Sequence, residues 1–189
     1  MKGLLTISPI KQVTIFLLSL GIIISLTAHW CHTAAQTTEV NLLGHETKWR
    51  PFSEAIINQD QGRLEILVVT NETDKKWNRA YLPMRISSPN ATSVPFTLEY
   101  ASKSNLGNAT FQAQIRESNK VLWTGYLNNT DGQLFNKTFT LPSSILNRPV
   151  EFRFNVVTNG TGEHTFDVNK ATMWLTNATQ NQPMKVEFY

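Results

Sequence analysis

The sequence predicts a single all-β domain, an antiparallel sandwich or barrel, preceded by a hydrophobic helix at the N-terminus. Segments in which apolar and polar residues alternate, the pattern of half-buried strands, recur along the chain. Clusters of Asn, Asp, Gly and Pro, which favour tight turns, separate these segments at intervals of about 8–12 residues. No segment beyond the N-terminal region has a convincing helical period. Strands without interleaved helices build sandwiches or barrels.

The first predicted element is the apolar segment 13–28, VTIFLLSLGIIISLTA, which follows Lys2 and Lys11. Positive residues, an apolar core and small residues up to Ala35 fit a signal peptide cleaved after Ala35, which leaves a secreted protein. The alternative is an uncleaved single-pass membrane anchor through residues 13–30, with its lysine side in the cytoplasm. Residues 1–35 are therefore predicted to be a signal peptide or an anchor, and both interpretations export the rest of the chain.

The remainder is predicted to contain a tether and the sandwich. Residues 36–48, QTTEVNLLGHETK, are mostly polar and predict the tether, so the sandwich is expected over residues 49–189. Short helical turns are predicted at 53–58 and 142–146. The predicted strands are 63–70, 79–87, 96–101, 109–117, 121–126, 134–141, 150–158, 163–168, 171–176 and 185–189. The apolar faces of these strands predict a core that includes Phe111, Ile115, Phe152, Phe154, Phe166 and Met173.

The charge of the chain gives no indication of a nucleic-acid partner. Residues 36–189 contain 15 basic and 14 acidic residues, so the sequence pI of about 9.1 arises largely from the N-terminal segment. Nucleic-acid binding needs a clustered basic surface, which a sequence of this balance does not predict. Cys31 is the only cysteine, and the cluster His29-Trp30-Cys31-His32 has too few ligands of workable geometry for a metal site. No disulfide or metal is therefore expected.

Seven Asn-x-Thr sequons predict an N-glycosylated protein. Chance alone gives about two, given the 17 Asn and 18 Thr of residues 36–189. Asn and Thr are also common in turns, but turn composition does not explain their spacing. Six of the seven lie at predicted turns or strand ends, where a glycan is solvent-exposed. The predicted glycosylation sites are Asn71, Asn90, Asn108, Asn128, Asn136, Asn159 and Asn177.

The order of these elements resembles a known architecture. A strand at 64–70, then Trp77 and Tyr81, then strands through 150–158, the turn Asn159-Gly160-Thr161-Gly162 and a last hairpin resemble jelly-roll carbohydrate-binding modules and galactose-binding-like domains. The resemblance covers about residues 49–176 and is architectural. It implies a jelly roll, and such domains often hold a structural calcium ion near a sheet edge, where Asp167 is the one plausible ligand. No other cofactor is implied.

The sequence predicts no enzyme. Beyond residue 35 it contains His45 and His164, with no H-E-x-x-H metal motif and no G-x-S-x-G nucleophile elbow. Its acidic residues offer no recognisable pair of carboxylates of the kind that a glycosidase needs. Solvated surface charge is the simpler interpretation of these residues.

Binding is the more plausible activity. Sugar sites combine planar polar groups, which bond hydroxyls, with aromatic rings, on which sugar C–H faces pack. Exposed strands carry polar residues in any case, and Trp in a small sandwich is usually core. Two functions therefore remain open: a cell-surface module that binds carbohydrate, or a structural or accessory glycoprotein of an envelope or membrane complex that contacts another surface protein. The candidate ligand-binding residues are Gln112, Gln114, Arg116, Arg153, Asn155 and Glu99, with the rings Trp77, Tyr81, Trp123, Tyr126 and Trp174.

Overall fold

A computed structural model describes residues 36–60, 62–71, 73–88, 91, 93–106, 108–177 and 185–189. The predicted N-terminal helix, with its function as signal peptide or anchor, lies outside the described residues, and so does the sequon asparagine Asn90. Within the described residues, no helix has both the length and the apolar character that crossing a bilayer requires.

The described chain forms twelve strands and one short 3-10 turn, at Ser143–Ile145. All strand pairs are antiparallel. The strands are β1 Gln36–Asn41, β2 Arg50–Phe52, β3 Ala55–Asp60, β4 Arg63–Thr70, β5 Lys75–Ser87, β6 Ser93–Asn105, β7 Asn108–Glu117, β8 Lys120–Leu127, β9 Phe135–Pro142, β10 Pro149–Asn159, β11 Gly162–Asn177 and β12 Lys185–Phe188.

The strands form two six-stranded sheets. In sheet A the order is β3-β4-β11-β6-β9, and β1 pairs with β11. In sheet B the order is β12-β5-β10-β7-β8, and β2 pairs with β5. Each sheet therefore combines strands from early and late parts of the chain. The prediction of an all-β antiparallel sandwich is confirmed.

Aromatic residues fill the space between the sheets. Phe166 of sheet A lies between rings of sheet B, with centroid distances of 5.5 Å to Phe154 and 5.6 Å to Phe111. Trp49 stacks on Phe154 at 5.1 Å, and Phe96 contacts Phe152 at the same distance. Such pairs add to the apolar burial that stabilises the sandwich. The six predicted core residues are all buried, so that prediction is confirmed.

The predicted tether is wrong, because the segment belongs to the sandwich. Residues 36–41 form β1, which pairs with the end of β11, and Leu42 and Leu43 behind it are buried. The indole Nε1 of Trp49 donates a hydrogen bond to the carbonyl of Leu42 at 2.9 Å. A polar edge strand buries few side chains, so its sequence lacks a strong apolar pattern.

Two other local predictions need correction, and a third is confirmed. The segment 53–58, predicted as a helical turn, leads into the strand β3, which pairs with β4. The predicted strands 163–168 and 171–176 form one strand, β11, because a bulge between Val168 and Lys170 shifts the register without ending the strand. The turn predicted at 142–146 is present as the 3-10 turn at Ser143–Ile145.

Candidate functional site

The outer face of sheet B brings five predicted binding residues together. Along β10, Phe152 and Phe154 point into the core, so Arg153 and Asn155 between them point outward. The same alternation turns Gln112, Gln114 and Arg116 of β7 outward, beside β10. No other described strand covers this face, because each sheet packs its opposite side on the core.

Two adjoining rows of side chains run across the middle of this face. Neighbouring strands lie about 4.8 Å apart, so a row over five strands spans about 19 Å. The first row consists of Tyr126, Gln112, Asn155, Arg79 and Phe52. The second row consists of Thr124, Gln114, Arg153, Tyr81 and Arg50. We call these ten residues the central rows.

Part of the second row is already hydrogen-bonded. Gln114 Nε2 donates to Thr124 Oγ1 at 3.2 Å. Arg153 forms an ion pair with Glu151, its neighbour two residues back on β10, and the Nε–Oε2 distance is 2.8 Å. These contacts hold the Gln114 amide and the Arg153 guanidinium in place across the sheet. The donors of both groups are therefore oriented before any ligand arrives.

Asn155, in the first row, is the exception. It is 1% exposed, although it lies on the outer face, because long side chains on the adjoining strands surround it. Its Nδ2 has no hydrogen-bond partner among the described residues. A buried donor without a partner costs about 1–3 kcal/mol, so such a group in a polar cluster indicates a place for an external acceptor.

Exposed rings stand at both ends of the first row. Tyr126 is 66% exposed at the β8 edge, and Phe52 is 47% exposed at the β2 edge. The guanidinium of Arg79 lies over the Phe52 ring, 3.7 Å from its centroid. Sequence reasoning missed Phe52, because β2 has three residues and shows no alternation. Among the predicted rings, Tyr81 lies in the second row and Trp77, 43% exposed, lies one row beyond Asn155.

Three predicted site residues do not belong to this face. Trp123 points inward, where its ring packs edge-on against Phe139 at 5.2 Å. Trp123 is the cross-strand partner of Ile115, which points into the core, so regular alternation along β8 gives it this orientation. Glu99 and Trp174 lie on the outer face of sheet A, on strands β6 and β11. The structure therefore does not bring these three residues together with the other candidates, because strand order and cross-strand register decide which sheet and which face each residue occupies.

Electrostatics distinguish this face further. Burial is the main cause that lowers the pKa of Arg79, and the positive charge of Arg153 lowers it further. Beside the second row, along the strand direction, a hollow of about 360 Å3 is lined by Pro83, Glu117, Pro149, Glu151 and Tyr189, among others. The face therefore combines concentrated positive charge with a concave region.

The predicted glycosylation sites lie on the surface wherever their side chains are described. Asn71, Asn108, Asn128, Asn136 and Asn159 are all exposed. Asn108 and Asn159 are direct cross-strand partners on the outer face of sheet B. They lie four residues along the strands from the Asn155 row, or about 13 Å, so glycans there border the central rows.

The resemblance also suggested a calcium site near Asp167. This carboxylate instead forms an ion pair with Arg63 at 2.9 Å on the outer face of sheet A. Among the described residues, no group of three or more His, Cys, Asp or Glu side chains is arranged to hold a metal ion. The structure therefore gives no candidate ligand set for calcium.

By fold, the chain is a β-sandwich, and its outer sheet B face carries convergent polar groups between exposed rings. No protein-family model and no curated protein sequence matches it. Solved structures that are similar include a carbohydrate-binding module of the β-sandwich superfamily, at 16% identity and a TM-score of 0.48 over 76% of this chain and 58% of that one. Carbohydrate-binding modules are the class whose architecture the sequence resembles.

Two further similar structures come from a lectin and an enzyme. Lectin UEA-II complexed with galactose matches at 11% identity and a TM-score of 0.44, over 75% of this chain and 98% of that one. The glycoside hydrolase domain of Endo-D from Streptococcus pneumoniae matches at 12% identity and a TM-score of 0.42, over 79% and 22%. Similarities this weak do not assign a function.

Proposed function

We propose that this chain is an exported, N-glycosylated, non-catalytic module that binds carbohydrate on the outer face of sheet B. The observation that carries the proposal is the arrangement of the central rows, in which amide and guanidinium groups lie between the exposed rings Tyr126 and Phe52. Sugar hydroxyls need planar donors and acceptors, and sugar C–H faces pack on rings. The central rows offer both kinds of group over about 19 Å.

Export and glycosylation rest on the sequence and on exposure. The apolar segment 13–28 suits a signal peptide or anchor, which places the sandwich outside the cytoplasm, secreted or tied to a membrane. The five sequon asparagines with described side chains are exposed, as glycosylation requires. Intact mass of the native protein tests both points, because it reports cleavage after Ala35 and the number of glycans. An unmodified, uncleaved mass for native protein would contradict the glycosylation proposal and the secreted form.

The carboxylates of the face do not suit catalysis. Glu151 is paired with Arg153, and Lys185 lies 2.6 Å from Glu187 and lowers the pKa of that carboxyl. A glycosidase acid needs a raised pKa, which is the opposite direction. Ser104 Oγ lies 2.8 Å from His164 Nδ1, but His164 is fully buried, where no substrate reaches it. These contacts favour binding without turnover.

Glycan-array binding of the purified full-length chain tests the carbohydrate proposal. We expect defined saccharides to bind, and we expect Tyr126→Ala to weaken binding while Tyr126→Phe retains it, because the ring supplies the contact. Asn58→Ala, on the exposed face of sheet A, is the control and should bind as the unmodified chain does. A folded chain that binds no saccharide on the array refutes this proposal and leaves the structural or accessory glycoprotein as the function.

A further inference from the structure

Charge is segregated between the two outer faces of the sandwich. The outer face of sheet A carries six acidic and three basic residues on its described strands: Glu39, Asp60, Glu65, Glu99, Glu163 and Asp167 against Arg63, Lys103 and Lys170. The outer face of sheet B carries five of the seven arginines of residues 36–189: Arg50, Arg79, Arg85, Arg116 and Arg153. Because residues 36–189 are nearly neutral, this clustering is not a consequence of general basicity.

Most of these arginines lack an acidic partner. The two glutamates on the sheet B face are already engaged, Glu151 by Arg153 and Glu187 by Lys185. Among the described residues, the other four arginines of the face form no ion pair with an acidic side chain. Arg85 and Arg116 donate only to the backbone carbonyls of Asn147 and Asn119, and Arg50 donates to the main-chain oxygen of Tyr189, the last residue of the sequence. The face therefore retains uncompensated positive charge.

Arg79 is the least satisfied of the four. Within the described residues, no group accepts a hydrogen bond from its guanidinium, and its Nε is buried. The guanidinium lies over the Phe52 ring, 3.7 Å from its centroid, and this contact satisfies none of its N–H groups. Asn155 is its direct cross-strand partner, and its buried Nδ2 also has no acceptor. Two unmatched donors thus lie side by side, with Cβ atoms about 5 Å apart.

This juxtaposition selects the chemistry of the ligand. A neutral sugar hydroxyl donates one hydrogen bond as well as accepting, whereas carboxylate and sulfate oxygens only accept. Bonds between a guanidinium and such an anion are about twice as strong as neutral bonds and are often bidentate. A lysine-rich face would attract anions without this geometry, but arginine predominates on this one.

We propose that the sheet B face binds an acidic saccharide, whose carboxylate or sulfate group is held between Arg79 and Asn155. The proposal rests on the carbohydrate-binding function and names its substrate class. Arg153 lies in the second row, where its ion pair with Glu151 fixes it, and it faces the next position along the ligand. Tyr81, its partner on β5, supplies a ring beside it.

Calorimetric titration of the full-length chain with oligogalacturonate and with its methyl ester tests the proposal. The two ligands share one sugar chain and differ in negative charge. We expect at least a tenfold tighter Kd for the acid, which is about 1.4 kcal/mol, and weaker binding as NaCl is raised. A sulfated dextran oligosaccharide against unsulfated dextran forms the second arm and distinguishes sulfate from carboxylate as the preferred anion.

Matched arginine variants locate the site. Arg79→Gln should weaken binding of the acidic ligand at least tenfold and weaken binding of the ester much less, so that the preference for the acid over the ester is lost. Arg79→Lys keeps the charge and should restore little, because it loses the planar fork, and it serves if Arg79→Gln does not fold. Arg63→Gln removes an arginine from the opposite face and should bind normally.

Each contrary outcome has a distinct meaning. Equal affinity for the acid and the ester overturns the acidic-saccharide proposal but keeps carbohydrate binding. Equal affinity for inorganic polyphosphate and oligogalacturonate also overturns it, because the face then acts as a simple cation surface. Absence of binding to all four saccharides, with a folded chain, overturns the acidic-saccharide proposal, and absence of binding on the glycan array as well overturns the carbohydrate-binding function.

Discussion

Two asparagines of the sandwich are equally buried and should respond oppositely to truncation. Asn155 on the outer face is 1% exposed and its Nδ2 has no partner among the described residues. Asn78, in the interior, is fully buried, and its Oδ1 accepts a hydrogen bond from the backbone N–H of Glu54 at 3.1 Å. Its Nδ2 lies 3.5 Å from Thr158 Oγ1. The pair separates the effect of burial from the effect of hydrogen bonding.

The magnitudes follow from these contacts. Asn78→Ala removes a buried, hydrogen-bonded amide and leaves the part-buried Glu54 N–H without its acceptor, which should lower the free energy of unfolding by about 2–3 kcal/mol. Asn155→Ala removes a donor that has no protein partner, so the desolvation cost of about 1–3 kcal/mol is relieved and offsets the lost packing. The free energy of unfolding should therefore change by less than about 1 kcal/mol, or rise.

Urea unfolding of the full-length chain, followed by tryptophan fluorescence, measures both variants against the unmodified chain. The same Asn155→Ala protein should bind the acidic saccharide more weakly, because the amide bonds the ligand. If Asn155→Ala destabilises as much as Asn78→Ala, the Asn155 amide is satisfied in the free protein, and the argument for an external acceptor fails. An Asn155→Ala protein that keeps its stability but binds the saccharide more weakly is the result expected of a group that serves binding.

Three further predictions concern the core. Phe154→Ala should lower the free energy of unfolding by about 3–5 kcal/mol, while Tyr126→Ala at the exposed edge costs under about 0.5 kcal/mol; comparable urea midpoints would mean that the strand faces are reversed. Burial lowers the pKa of His164 in the folded protein below the unfolded value of about 6.5. The neutral imidazole therefore contributes its full stability above that unfolded pKa. This stability is lost as pH falls through the folded pKa, by at most about 1.4 kcal/mol per pH unit. His164→Gln should reduce the change in the free energy of unfolding, measured in urea, between pH 7.5 and 5.5. An unchanged pH dependence would contradict this. A Cβ at Gly125 would lie 2.6 Å from the Trp123 ring, so Gly125→Ala should lower the free energy of unfolding by about 1–3 kcal/mol, whereas an unchanged free energy would show that the ring moves freely.

The alternation of apolar and polar residues predicted most of the strands, because a half-buried strand shows a period of two residues in its sequence. The segment 109–117 corresponds to β7 with the inward residues as expected, and 63–70 is β4. The first three strands were missed or misread for a physical reason. Edge strands such as β1 and β2 bury few side chains, and β2 is three residues long, so their pairing comes from tertiary contacts and not from local pattern.

The site was partly predictable for the same reason. Alternation along β7 and β10 correctly predicted that Gln112, Gln114 and Asn155 point outward. Alternation does not show which strands share a sheet, so Glu99 was grouped with these residues although it lies on sheet A. The pairing of Asn155 with Arg79 depends on register between β10 and β5, about 75 residues apart in the chain. A single sequence carries no signal for that register.

The positions of the sequons agree with the proposed site. Asn155 is the one asparagine in the central rows, and Val156-Val157 after it rules out a glycan acceptor. Asn108 and Asn159 lie about 13 Å away along the strands, opposite each other on the same face, so glycans there border one side of the rows. The hollow beside Glu151 and Pro83 borders the other side. A saccharide held by Arg79 is therefore confined on one side by the chain's own glycans and extends across the strands or towards the hollow.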